Sequence, residues 1–256
     1  MIRLAAAFAA TLFVASAADA ATVTVTPGSG WQAETGNGNT GTATITNAQA
    51  RDGNGSLELR GDRTRYYTGA SGNNLAAIFA PVITSMSNVT GLTFDWRIAG
   101  DTVSALGEDY TPALRLIIRS GTTVRELIWE GAYNGVYGLQ TVPDTWYSTT
   151  TASKFYISGS PGNENDGKTI AEWAVSNASW NVVGLSVGQG SSAGVGYHAF
   201  ADNVTLATRT ATTTYNFETA VTAAVPEPGT WAMLLIGFGA AGAAARRRRP
   251  AVAFAA

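Results

Sequence analysis

Along most of the chain, apolar and polar residues alternate in short runs, and Gly, Asn and Ser punctuate them. Alternation with a period of two sends successive side chains to opposite faces of a strand. The clearest run is 89–98, where Leu92, Phe94, Trp96 and Ile98 share one face and Thr93, Asp95 and Arg97 share the other. Segments 22–26, 42–46 and 56–60 read as shorter strands, the last with Leu57 and Leu59 on one face and preceded by the turn signal Asp52-Gly53-Asn54-Gly55. Segments 113–119 and 123–130 flank Ser120-Gly121-Thr122 and predict a hairpin. Further strands are expected at 154–157, 182–187 and 196–206 and a short helix near 169–175, while 146–151 fits either state and 75–79 is an apolar segment stopped by Pro81. Many short strands with turn residues between them predict an all-β fold, a single β-sandwich or jelly roll, over residues 21–208.

Composition agrees with that pattern. Charged residues make up 13% of the chain, aromatics 10%, and there are 29 glycines. Gly and β-branched residues disfavour helix, and aromatics interleaved with Val, Ile and Leu supply a core. Residues 21–225 hold 11 Lys and Arg against 16 Asp and Glu, a balance of −5. A protein that tracks a phosphate backbone presents a basic face, so nucleic acid is not an expected partner. The absence of cysteine excludes disulfides, thiol catalysis and Cys-type zinc sites.

The two ends carry a different grammar. Arg3, the apolar stretch 4–15 and the small-x-small sequence Ala18-Asp19-Ala20 form the three parts of a secretory signal peptide over 1–20, with cleavage expected after Ala20. After a linker at 209–225, Pro226-Glu227-Pro228 is followed by Trp231 and an apolar span, 231–245, which Arg246, Arg247, Arg248 and Arg249 close. The prolines keep the segment around Glu227 extended, in the form a processing enzyme accepts. Trp231 suits a membrane interface, and the arginines favour the cytoplasmic side. As a helix the 15 residues of the span reach about 22 Å, short of a hydrocarbon core of roughly 30 Å. A transient transmembrane anchor in the inner membrane is therefore expected, with 250–256 as a cytoplasmic tail.

Pro226-Glu227-Pro228, the Trp231-Ala232 pair, the Gly-rich apolar span and the four arginines resemble the PEP-CTERM sorting signal in its PEPxxWA form. The resemblance implies export by a Gram-negative bacterium, processing by an exosortase, and delivery to the cell surface or extracellular matrix, with exopolysaccharide and biofilm as the setting. It implies nothing about the cargo domain. Within the span, Gly237-Phe238-Gly239-Ala240-Ala241-Gly242 matches the spacing of a dinucleotide loop, but no strand precedes it and no acidic residue follows. Small residues that let membrane helices approach account for it.

The cargo also resembles the carbohydrate-binding jelly rolls, through 55–60 (GSLELR), 92–97 (LTFDWR) and the closing 200–206 (FADNVTL). That resemblance implies a structural calcium at Asp202, an ion that takes about six to eight oxygens. The residue-level alternative is an Asp that satisfies backbone donors in a turn. Tyr and Trp offer flat faces for sugars, and the aromatic, Gly- and Asn-rich loops put forward Tyr133, Tyr137, Trp146 and Tyr147 as ligand-binding residues. No catalytic residue is assigned. His198 is the single histidine and reads as structural, there is no G-x-S-x-G elbow, and Glu126 and Glu130 lie about 13 Å apart on one strand. The expectation is a non-catalytic matrix or polysaccharide-binding module, and the alternative is a carbohydrate-active enzyme on the same scaffold.

Overall fold

The computed structural model describes residues 19–34, 38, 40–72, 75–104, 110–136, 141–159, 166–220 and 238. The chain divides into two units, 1–219 and 220–256. In the second, Ala220 and Phe238 are described, and Phe238 is exposed.

The first unit is an all-β sandwich of two sheets. In chain order its elements are β1 (Asp19–Val25), β2 (Gln32–Ala33), β3 (Thr42–Thr46), β4 (Ser56–Arg60), β5 (Thr64–Gly69), α1 (Leu75–Phe79), β6 (Thr84–Ser85), β7 (Val89–Ile98), β8 (Ala113–Ser120), β9 (Thr123–Trp129), β10 (Tyr147–Ser148), β11 (Tyr156–Ile157), α2 (Ile170–Ser176), β12 (Asn181–Gln189), β13 (His198–Thr208) and β14 (Ala211–Phe217). The first sheet is built on β13. Strand β7 pairs along one edge of it, with β10 beyond. The other edge is shared: β4 takes His198 to Ala201 and β14 takes Val204 to Ala207. Strand β3 lies outside β4, and β1 runs parallel to β14. The second sheet runs β11-β9-β8-β12-β5-β2, with β6 on the end of β12.

The inward sides are those the alternation predicts. Leu57, Leu59, Phe94, Trp96 and Ile98 of the first sheet share one buried cluster with Leu114, Leu116, Leu127, Trp129 and Leu185 of the second. Each such side chain contributes about 1.5–3 kcal/mol when fully buried. Phe94 and Trp129 meet edge to face at 5.3 Å between ring centroids, a favoured aromatic geometry. Helix α2 forms where the sequence predicts it. Thr169 and Glu172 make a reciprocal capping box at its start, and Ile170, Trp173 and Ala174 face inward.

Three features add to or differ from the sequence reading. The apolar segment 75–79, to which the pattern assigns no state, forms helix α1. It covers Ile117, Val124 and Val183, which stand on the outer face of the second sheet. Arg119 Nη1 donates to the carbonyls of Ala77, Ile78 and Ala80 at the end of this helix, where helical carbonyls lack internal partners. The domain boundary expected at 208 falls too early. β14 follows it as an integral strand, so the start of the linker moves past Thr219. At the other end, β1 begins at Asp19, so Asp19 and Ala20 of the expected cleavage sequence are its first two residues, both exposed, and Ala21 to Val25 complete its pairing with β14.

The shared edge of β13 turns on Asp202. The pairing with β7 shifts register between Asp202 and Thr205, and Asn203 adopts a left-handed φ of 50°, a conformation Asn tolerates better than most residues. At this break Asp202 Oδ1 accepts from the amides of Asn203 (2.7 Å) and Phe217 (2.8 Å). Its Oδ2 is buried without a hydrogen-bond partner. Burial pushes the Asp202 carboxyl up to about 7; the two amide bonds pull the other way, and the Glu218 and Asp52 charges add to the rise. A carboxyl raised above its unfolded value binds its proton more tightly in the fold. Its contribution to stability is therefore complete below about pH 4 and is lost as pH rises through about 7. An Asn in its place can still accept both amides through one oxygen. Thermal melting of the wild type and of Asp202→Asn should therefore diverge between pH 4 and pH 7, the wild type losing stability relative to the variant as pH rises. Parallel curves across that window would show that Asp202 does not titrate there.

Candidate functional site

The residues of β4, β7 and β13 that alternate with the core positions build a polar surface on the outer face of the first sheet. Glu58, Arg97, His198 and Phe200 stand there, between inward-facing Leu57 and Leu59, Trp96 and Ile98, and Ala199 and Ala201. A cleft of about 390 Å³ opens on this face, lined among others by Gln49, Asp101, Asp144, His198 and Phe200. Three loops meet in it: the turn after β4's partner β3, the segment after β7, and the segment before β10.

His198 is fixed in the cleft wall from both sides. Its Nδ1 lies 2.5 Å from Asp101 Oδ1 and its Nε2 lies 3.0 Å from Glu58 Oε1. Its ring leans on Phe200, with centroids 4.8 Å apart. Only 6% of His198 is exposed, whereas the Asp101 side chain is 67% exposed, so the imidazole positions an acid that faces solvent. The His198 hydrogen bond holds the Asp101 carboxyl below the usual carboxylate range. Across the cleft, Asp144 Oδ1 accepts from Arg97 Nη2 (2.7 Å) and from the Gly100 amide (3.0 Å). Glu58 also accepts from Arg60 at 2.7 Å. Each of the three carboxylates thus has an arginine or imidazole partner that orients it. This arrangement presents oriented acceptors. A general acid would need a carboxyl raised by an apolar environment, the reverse of what surrounds Asp101.

The aromatic residues expected to bind ligand do not form one platform. Trp146, two residues beyond Asp144, lies over the Arg51 guanidinium at 6.0 Å, and Arg51 is two residues beyond Gln49. This pair flanks the cleft, and Arg51 Nε is bonded to Asp95 at 3.0 Å. Tyr147 is not a free face: it stacks on core Trp96 at 4.8 Å, and its phenol accepts from the Val142 amide. Tyr133 is 43% exposed but stands beside Tyr156 of β11 in the other sheet, with ring centroids 5.2 Å apart. Tyr137 lies outside the described residues. The side chains of Asp101, Asp144 and Gln49 were invisible to sequence reasoning, because the separations that unite them with His198 and Glu58 run from 97 to 140 residues for the histidine contacts alone.

Asp202 acts as the backbone cap described above, and a second acid comes near it. Glu218 Oε2 accepts from the Asn54 amide at 2.6 Å. Gly53, with φ of 74°, leaves this carboxylate room, since a Cβ there would fall 1.7 Å from Glu218 Oε1. Among the described residues, no three His, Asp or Glu side chains form a cluster able to hold a metal ion. The feature that fits an oxygen-seeking cation is the buried, unpartnered Asp202 Oδ2 beside Glu218.

Among the described residues no helix is long and apolar enough to cross a membrane. Ala18 and the residues Pro226, Glu227, Pro228, Trp231, Arg246, Arg247, Arg248 and Arg249 lie outside the described residues. Among solved structures, the chain is similar to one described as the structural basis for the promiscuous specificity of the carbohydrate-binding modules from the β-sandwich superfamily, at 14% identity and a TM-score of 0.34. The match covers 68% of this chain and 56% of that one. No curated protein matches the chain. Residues 224–249 match the family model of the PEP-CTERM protein-sorting motif, so the chain carries a PEP-CTERM sorting motif that takes in Pro226-Glu227-Pro228, Trp231 and all four arginines.

Proposed function

We propose that the chain is exported through its N-terminal signal, held briefly in the inner membrane by residues 231–245, processed by an exosortase-type enzyme, and released to the cell surface or extracellular matrix, where its β-domain acts as a non-catalytic polysaccharide-binding module on a jelly-roll scaffold. The sorting motif at 224–249 supports the routing. The observation that carries the cargo reading is the cleft of the first sheet, where paired and oriented Asp101 and Asp144 offer acceptors to sugar hydroxyls and Gln49 offers an amide. Charge-assisted hydrogen bonds of this kind are stronger than neutral ones. The carboxylates are already paired, Asp101 with His198 and Asp144 with Arg97, which favours holding a ligand over proton transfer to it. Calcium belongs to the same reading. Asp202 and Glu218 would supply carboxylate oxygens, and the ion would take up the Asp202 Oδ2 that is buried without a partner.

Three outcomes are expected. The mature protein should lack residues at both ends by intact mass, and replacing Pro226, Glu227 and Pro228 by alanine should retain the C-terminal segment and leave the protein in the inner membrane; an unchanged mass and location would refute processing at the motif. In affinity electrophoresis through gels containing the producing organism's exopolysaccharide, Asp101→Ala and Asp144→Ala should each weaken retardation by about tenfold, roughly the 1.4 kcal/mol expected of one charged hydrogen bond, with no polysaccharide cleaved. Release of oligosaccharides by the wild type would instead make it a carbohydrate-active enzyme. Millimolar calcium at pH 8 should raise the melting temperature of the wild type and leave Asp202→Asn unmoved; equal responses with calcium and with chelator would exclude the ion.

A further inference from the structure

One end of the sandwich, where β8 and β13 finish and β7 and β12 begin, carries exposed apolar side chains. Its segments are tied together by main-chain pairing. Asn181 pairs with Ser85 and with Arg119, and Thr208 with Val89. Ile83 donates its amide to the carbonyl of Val182, Met86 to that of Trp180 and Arg209 to that of Asn88. At this end Phe79 is 86% exposed and Val175 79%, and Val82 and Ile83 are exposed beside Pro81.

A lone exposed aliphatic side chain is ordinary, but several large apolar side chains bared at one end mark a surface that meets an apolar partner. The segment that bears Phe79 is braced. Arg119 Nη1 bonds the carbonyls of Ala77, Ile78 and Ala80, and Pro81 fixes its own φ. From 66 to 94 the sequence has no Asp, Glu, Lys or Arg. Cations reach this end from elsewhere: Arg119 from β8, and the exposed Arg209 from the turn between β13 and β14. Arg209 also lines a groove of about 390 Å³ with Ser87, Val89, Ala174, Val175 and Ala178, which sets a guanidinium beside apolar walls. Asp19 stands here too, its amide bonded to the Thr210 carbonyl, and the expected cleavage after Ala20 would remove it. At the opposite end Val103 and Val195 are exposed as well, but the segments around them carry Arg60, Asp62, Arg63 and Asp101.

We infer that this end of the domain docks on a lipid surface: Phe79, Val82, Ile83 and Val175 enter the boundary between headgroups and acyl chains, and Arg209 meets anionic phosphates there. The tether favours lipid over a protein partner, and in this the inference rests on the anchoring of residues 231–245 in the proposed function. Eleven residues, 220–230, separate Thr219 from Trp231, and extended they reach about 36 Å. Strand β14 runs from Ala211 at this end to Phe217, a length of roughly 20 Å. The linker is therefore long enough for this end to touch the membrane that holds the anchor. Tethering supplies a high local concentration, so a shallow apolar contact that would be weak for a free protein is sufficient. Docked in this way, the domain turns the start of β13, with His198 and Asp101, away from the lipid and leaves the cleft open to polysaccharide.

The chain has no cysteine, so one introduced thiol carries a label alone. Phe79→Cys, Val82→Cys and Val175→Cys, with Val195→Cys at the far end as reference, are coupled to the fluorophore NBD. Each is reconstituted, full-length, into vesicles of phosphatidylethanolamine and phosphatidylglycerol. Emission from positions 79, 82 and 175 should shift to the blue, and nitroxide-bearing lipids should quench it about threefold more than at 195. Arg209→Ser, or phosphatidylcholine in place of phosphatidylglycerol, should lower that quenching about twofold. Quenching no greater than at 195, in protein that floats with the vesicles, would overturn the docking and leave the anchor standing. A blue shift that grows with protein density and ignores the nitroxide lipids would overturn it in favour of a second copy of the chain. Strong quenching that neither Arg209→Ser nor phosphatidylcholine changes would keep the apolar contact and overturn the part given to Arg209. Protein that does not float with the vesicles would sink the anchor and the docking together.

Discussion

The first sheet depends on one carboxylate oxygen. Strand β13 pairs with β7 on both sides of the register shift between Asp202 and Thr205, but its other edge changes partner in mid-course, from β4 to β14. Such a change leaves amides without a ladder partner at the junction, and a buried amide without an acceptor costs about 1–3 kcal/mol. Asp202 Oδ1 takes two of them, one from its own neighbour Asn203 and one from Phe217 at the end of β14. The rest of that edge follows from this joint. Held there, β14 offers its free side to β1 in parallel register, and the first and last strands of the domain close the sheet together. Phe217 is thereby placed against Trp31 at 5.1 Å, and Trp31 against Tyr66 of the second sheet at 6.1 Å. The joint so links pairing in one sheet to aromatic packing between the two.

The fold was legible in the sequence wherever one face of a strand is buried and the other is not. Residues 89–98 alternate because Leu92, Phe94, Trp96 and Ile98 meet the core while Thr93, Asp95 and Arg97 do not, and the strand has those same bounds. Helix α2 lies where a short helix was expected, and the structure adds a capping pair at its start. The elements not read are those whose burial comes from elsewhere in the chain. Segment 75–79 is apolar because it caps an outer patch made by Ile117, Val124 and Val183, and nothing local distinguishes a cap from a buried strand. Strand β14 (ATTTYNF) shows a half-buried pattern at nearly every position. Its stripe is weak because β1 and β13, rather than the core, determine its place.

The sites were less legible, and for a definite reason. Alternation predicts that His198 and Phe200 share a face, and they do. It is silent on what crosses that face, and Asp101, Glu58 and Asp144 arrive from three other segments. The aromatic residues marked by their loops divide accordingly. Trp146 stays beside the cleft with Arg51, Tyr147 is drawn onto Trp96, and Tyr133 joins the opposite sheet. A loop's composition shows that it can carry recognition, but the strands it connects decide where.

The two outer faces share a logic that stability alone does not explain. In an ordinary sandwich the faces turned away from the core are wet, and charges there are cheap and contribute little. Here His198 on one face, and Arg115 and Glu126 on the other, are withdrawn from solvent while carrying polar or charged groups. Folding gains little from this, because desolvating such groups offsets most of what their pairing returns. What desolvation does provide is strength and direction for a hydrogen bond made later, since a donor or acceptor held rigidly in a low-dielectric surrounding loses less on meeting its ligand than one that must first shed water and settle into a rotamer. A domain that travels outside the cell without disulfides must take its stability from the core between the sheets. That leaves the outer faces free to carry polar and charged groups that the core does not need.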